Sequence, residues 1–220
     1  MKIFRIGLAA LCPALMLAQN VPTAAVDSPP LDVPGKLYYH YEKVYSPFSV
    51  LESGFQAAIL QWNDDPREWG QGYHGLWRRM SSTVGYDTAR NLFMFALDSI
   101  ARQDPRYYRS GEGAIGARGW HAFTQTFAGH TDSGKKTLPF VRFAATYGVA
   151  FLANAWNPDR LSDRRHAVVR GTVTLAADAG NNLFDEFWPD LKKKFFHRKR
   201  HPAGLSRDSY GAVPGSQTAP

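Results

Sequence analysis

Apolar residues recur along this chain with a period near 3.6, and that period predicts helices over roughly 47–61, 71–102, 115–129, 139–156 and 161–187. The clearest amphipath is 85–102. Ala89, Leu92, Phe93, Ala96 and Ile100 fall on one side, and Asp87, Asn91, Asp98 and Arg102 recur on another. Asp98 and Arg102 have the i,i+4 spacing of a helix-surface ion pair. In 115–129, Trp120, Phe123 and Phe127 form the apolar face, opposite Arg118, His121 and Gln125. The segment 139–156 is apolar almost all round, broken by Arg142, Thr146 and Asn154. Such a helix is buried centrally or touches lipid. At 1.5 Å per residue it reaches roughly 26 Å, short of a bilayer core of about 30 Å, so the central position is expected.

Four of these runs stop at a Pro–Asp cluster: Asn63-Asp64-Asp65-Pro66, Gln103-Asp104-Pro105, Asn157-Pro158-Asp159 and Trp188-Pro189-Asp190. Proline cannot continue the helical ladder, so each cluster reads as a stop. No run alternates cleanly over six residues, so strands are not expected. Small residues recur four apart at Ala144/Gly148, Ala145/Val149/Ala153 and Ala176/Gly180, the spacing of ridges along which helices approach closely. The fold class is therefore all-α, a single compact bundle of about five helices.

Organisation follows from composition. Lys2 and Arg5 precede an apolar run from Ile6 to Ala18, the layout of a secretory signal peptide over 1–18 with cleavage near Ala18. Cys12 follows Leu11 in mid-run, a poor context for lipidation, and the chain after residue 18 has no cysteine. Pro22, Pro29, Pro30 and Pro34 mark 19–44 as an extended Pro-rich linker. The helical domain spans 45–191, and 192–220 is a basic, then disordered, tail.

Of 26 Lys and Arg residues, two belong to the leader and six lie between Lys192 and Arg200, leaving 18 against 19 acidic residues. The net charge of +7 is thus a property of the tail. Lys192, Lys193, Lys194, Phe195, Phe196, Arg198, Lys199 and Arg200 interleave cations with rings, which suits binding to anionic lipid or an acidic envelope polymer. Export argues against nucleic acid as the partner.

Candidate chemistry is sparse. His121, His130, Asp132 and Arg142, with Ser133 in an Asp-Ser-Gly turn, are the raw material of nucleophilic hydrolysis. Ser133 is not in a Gly-x-Ser-x-Gly elbow, however. Asp178, Asp98 and Asp87 are the candidate acid partners of Arg142, whose charge needs one if buried. Gly111-x-Gly113-x-x-Gly116 follows no buried strand and reads as a flexible loop. No metal-ligand spacing appears, and no cofactor is expected. His166, Arg170, Thr174, Asp178 and Asn182 recur every four residues. They form a solvated stripe, an internal salt-bridge network, or a polar seam facing Arg142 and Asn154 across the bundle.

Three stretches, Gln103-Asp104-Pro105-Arg106-Tyr107-Tyr108-Arg109, Thr131-Asp132-Ser133-Gly134 and Glu186-Phe187-Trp188-Pro189-Asp190-Leu191, stand in this order behind the leader. Together they resemble a group of exported bacterial proteins over residues 45–191. No activity is established for that group, so the resemblance implies a single helical unit and export, and no site residues. The expected function is that of an exported periplasmic or cell-envelope protein, non-enzymatic and peripheral to a membrane. The alternative is an exported hydrolase using His130, Asp132 and Arg142.

Overall fold

Asp32 opens the first helix. Its carboxylate accepts a hydrogen bond from the Gly35 amide at 2.9 Å, and Pro34 sits in the first turn, where a missing N–H costs nothing. Helix α1 (Val33–Tyr45) follows, and it overturns the expected linker over 33–44. Lys36, Tyr39, His40 and Val44 are its buried residues, spaced as one helical face. The prolines that suggested an extended segment act here as a helix start. Ser46 ends α1 and caps α2 (Pro47–Trp62) through its hydroxyl.

The computed structural model describes residues 29–111 and 113–196. The leader, residues 19–28 of the expected linker and residues 197–220 of the tail lie outside them. Helix α3 (Tyr73–Ala101) runs without a break at Gly85 and packs against α1, α2 and α5. The remaining helices are α4 (Ile115–Thr124), α5 (Phe140–Leu152) and α6 (Arg164–Phe196), with short 3-10 turns after α4 and α5. The fold is mostly helical, as the periodicity predicts.

Strands that the sequence did not announce fill the gap between α3 and α5. β1 (Gln103–Asp104), β2 (Gly129–Thr131) and β3 (Lys136–Thr137) form an antiparallel sheet in that order, with Asp104 opposite His130 and His130 opposite Lys136. Asp132-Ser133-Gly134 is the hairpin turn, with Gly134 at φ +78°. Strands of two or three residues are too short for an alternating pattern to register.

The Pro–Asp clusters after α2, α3 and α5 do end their helices. The fourth does not: Pro189 lies inside α6, which continues to Phe196. Residues up to Trp188 form one compact unit, and Pro189 onward belongs to a second.

The orientation of the helices is the main departure from expectation. In α3 the apolar side faces out: Leu92 is 55% exposed and Ile100 80%, whereas Asp98 is 4% exposed. In α4, Trp120, Phe123 and Phe127 are exposed while Arg118 and Ala122 are buried. Helix α5 is not enclosed on all sides. It buries Val141, Ala145, Thr146, Val149 and Ala150 and turns Phe140, Phe151 and Leu152 outward. Of the small-residue ridges, only Ala145/Val149/Ala153 is buried; Ala144/Gly148 and Ala176/Gly180 face out. Among the described residues the largest side chains less than 2% exposed are Arg79, Lys36 and Glu186.

Candidate functional site

Charged side chains held inside a bundle need partners, and most here have them. Arg79 donates to the carbonyls of Asp65, Pro66 and Gly70 and so ties the loop before α3 to that helix. Gly75 makes this possible, because a Cβ there would sit 2.2 Å from the Gly70 carbonyl oxygen. Glu186 accepts from Tyr107 Oη (2.8 Å), Arg118 Nε (2.9 Å) and the amides of Ser110 and Gly111 (3.0 and 3.1 Å). The glycine-rich stretch is thus a loop folded over a carboxylate. These donors hold the Glu186 carboxyl below its ordinary range, against the opposing effect of burial. Arg106 grips Asp104 with both ends of its guanidinium, and Tyr108 donates to the same carboxylate at 3.0 Å. Asp104 is held low, again against burial, and the Tyr108 hydroxyl is pushed up to about 12 by burial and by that neighbouring acid.

Between α1, α2, α3 and α6 lies a cavity of about 500 Å³. That is the size class of small-molecule sites. The ladder on α6 lines it: His166, Arg170, Thr174, Asp178 and Asn182 all face in, so the stripe is the interior seam and not a solvated one. Arg170 donates to the Ala150 carbonyl (2.6 Å) and to Asn154 (3.2 Å), Tyr86 and Thr174 share a hydrogen bond, and Asn182 donates to Thr126 (3.1 Å). Arg90 on α3 pairs with Asp178 and donates to Thr146.

Three further groups line the cavity with fewer ties. The carboxylates of Asp87 on α3 and Asp185 on α6 accept no hydrogen bond from the described residues. The Lys43 ammonium lies 5.6 Å from the centre of the Tyr39 ring and makes no ion pair within 4 Å. Burial pushes the Asp87 carboxyl up to about 7, with Glu52 and Asp178 adding to the rise and Arg90 opposing it. Burial raises Asp185 as well. Lys43 sits above its ordinary value in spite of burial, because Tyr39, Asp185 and Asp178 surround it with negative potential.

Of the residues expected to carry hydrolysis, His121 and His130 meet at Tyr108, while Asp132 and Arg142 are engaged elsewhere. His121 contacts the Tyr108 carbonyl at 3.0 Å. His130 stacks on the Tyr108 ring at 4.4 Å, and burial lowers its pKa. Asp132 pairs with buried Lys36 at 2.9 Å, while Ser133 contacts Thr131. Only Arg142 of the four lines the cavity. Its guanidinium donates to the carbonyls of Gln125 and Thr126 at 3.0 and 3.1 Å, so the expected acid partner is replaced by backbone. Asp98 bonds His40 at 3.2 Å and not Arg102, which is the left-handed C-cap of α3. Among the described residues no group of three or more His, Cys, Asp or Glu is placed to hold a metal ion.

Sequence reasoning missed Lys43 and Tyr39 because α1 was read as linker. The signal was present in the helical spacing of Lys36, Tyr39, His40, Lys43 and Val44. Of the proposed tail site, Lys192, Lys193 and Lys194 are exposed near the end of α6, where their charge complements the helix dipole. Phe195 and Phe196 continue the helical backbone, and Arg198, Lys199 and Arg200 lie outside the described residues.

Outside the cavity, rings form a connected chain over α4 and α5. Trp120 meets Phe123, Phe123 meets Phe127, Phe127 meets Phe143 and Phe143 meets Tyr147, at centroid distances of 5.8, 5.5, 6.2 and 6.5 Å. Trp120 is 68% exposed and Phe127 50%.

No protein-family model, curated protein or solved structure matches the chain.

Proposed function

We propose that this is an exported, non-enzymatic binding protein of the cell envelope, seated peripherally on a membrane by the aromatic flank of α4 and α5. The observation that carries this reading is the chain of rings from Trp120 to Tyr147, exposed at Trp120, Phe123 and Phe127. A contiguous exposed apolar patch marks an interaction surface, and indole and phenyl rings settle at the boundary between head groups and acyl chains. None of the described helices is long and apolar enough to cross a membrane, so insertion of a flank is the mode that fits. The basic tail adds electrostatic attraction to anionic lipid, at about 1 kcal/mol for each Lys or Arg near the surface. His121 and His130 meet at Tyr108, but Asp132 is held by Lys36 and Arg142 by backbone carbonyls, so the four lend the hydrolase reading no support.

Co-sedimentation with vesicles tests the proposal. The full chain should bind anionic vesicles at low salt and retain weaker binding at high salt, where the tail is screened. A Trp120→Ser/Phe123→Ser variant, folded by circular dichroism, should lose the salt-resistant part. A chain ending at Leu191 should lose the salt-sensitive part. Undiminished high-salt binding by the double variant would remove the flank from the membrane.

A further inference from the structure

Of the five Lys and Arg side chains that line the cavity, all but Lys43 are already spent on the protein. Arg79 is spent on carbonyls of the loop before α3, Arg142 on Gln125 and Thr126, Arg170 on Ala150, Asn154 and Leu161, and Arg90 on Asp178 and Thr146. Two of its five carboxylates are not. Asp87 and Asp185 project into the cavity without a hydrogen-bond donor, and the cation nearest Asp185 in character, Lys43, forms no close pair. Both carboxylates are half-buried, and a partly desolvated carboxylate without a donor is stabilised by a charged, hydrogen-bonding guest. The walls are suited to such a guest. Tyr39, Tyr86 and Tyr107 contribute rings to the cavity lining, and Asn181 contributes an amide. An ammonium over an aromatic face is attracted by the ring quadrupole, as Lys43 already is by Tyr39.

We propose that the cavity is a binding site for a small organic cation, an aliphatic amine or diamine, with Asp87 as its principal counter-ion and Asp185 as a second. Asp178, which faces Asp87 across the cavity, and Asp185 are seven residues apart on α6, about 10 Å along the helix. That spacing favours an extended guest with two separated amino groups over a compact monocation. The ring faces hold the methylene chain between them. This site is independent of the membrane reading, since it uses the inner faces of the helices and not the outer ones.

The charged groups around Asp87 set how binding depends on pH. Arg90 faces it from its own helix, Glu52 from α2 and Asp178 from α6, while Lys43 of α1, Arg142 of α5 and Arg170 and Asp185 of α6 line the same cavity. An amine needs Asp87 ionised, so affinity rises with pH through the range in which Asp87 loses its proton.

Calorimetric titration of the full chain with putrescine, spermidine and succinate at pH 6, 7 and 8 decides the matter. We expect the amines to bind and succinate not to, with amine affinity rising several-fold from pH 6 to pH 8. Asp87→Asn should weaken amine binding at least tenfold and flatten the pH profile. Lys43→Met removes a competing positive charge and should tighten amine binding. If succinate binds and Lys43→Met abolishes it, the cavity selects anions and the proposal is overturned. Failure of every amine to bind the folded wild-type chain overturns it equally. A folded Asp87→Asn that binds amines as the wild type does removes Asp87 as the counter-ion.

Discussion

Glu186 has no exposed surface and accepts from four donors, two of them amides of the loop at Ser110 and Gly111. Replacing it with Gln removes the charge but keeps the shape. The buried pair between Glu186 and Arg118 then loses its negative member, and breaking a buried pair in this way costs about 3–5 kcal/mol. Glu186→Gln should therefore lower the urea midpoint clearly, and a midpoint equal to that of the wild type would show the cluster to be dispensable. The sign with pH is fixed too. The folded carboxyl lies below its unfolded value, so its contribution is present above the unfolded pKa of about 4.3 and lost as pH falls through the folded one. The wild type should lose stability steeply below pH 4, and the variant should not show that part of the loss. Gly75 offers a second test, on geometry instead of charge. A methyl there collides with the Gly70 carbonyl, which also accepts from Arg79. Gly75→Ala should displace the loop and destabilise the fold, in spite of alanine's better helix propensity of about 1 kcal/mol.

At the scale of elements, the helices at 47, 73, 140 and 164 begin within three residues of the positions the periodicity predicts. What the period cannot supply is the sign of the face. A stripe at 3.6 residues marks two sides of a helix, and assigning the apolar side to the core assumes that water covers the other. In α3 and α4 that assumption fails, because Asn91, Asp98 and Arg118 find partners inside. Helix α1 was illegible for a different reason, since its prolines signal a helix start as readily as a linker. The cavity was half legible. The α6 ladder gave one wall, but its facing groups come from helices distant in sequence. The inversion has a consequence for mutants. Leu92→Gln and Ile100→Gln replace exposed apolar groups and should move the stability in solution by no more than about 0.5 kcal/mol. Ala145→Leu places three extra carbons on the buried face of α5, where Ala145 is fully enclosed, and should cost about 1–3 kcal/mol. Thermal denaturation of the three variants compares the faces directly. A large loss from Ile100→Gln would mean that this face is covered in the folded protein.

For the whole molecule, the buried carboxyls fall into two groups with opposite responses to pH. Glu186 and Asp104 are held low by donors, so they favour the fold above the acid range. Asp87, Asp98 and Asp185 are raised by burial, so the folded state keeps protons that the unfolded chain releases. Stability then falls as pH rises between the unfolded carboxylate value of about 3.9 and the folded one, which for Asp87 is about 7. A gap of roughly three pH units corresponds to an upper bound of about 4 kcal/mol. The empty-handed protein should accordingly be most stable near pH 4–5, between the two groups, and not at neutrality. Asp87→Asn has no proton to lose. Its stability should decline less steeply from pH 5 to pH 8, keeping only the shares of Asp98 and Asp185, and it should exceed the wild type's by the largest margin at pH 8. Urea denaturation followed by tryptophan fluorescence at half-unit pH steps, in amine-free buffer, measures both curves. Parallel curves for the two proteins would show that Asp87 is already ionised and compensated in the fold. Convergence at pH 5 with divergence at pH 8 locates the protonated carboxyl in the cavity, where an amine added at pH 8 should restore much of the lost stability to the wild type and none to the variant.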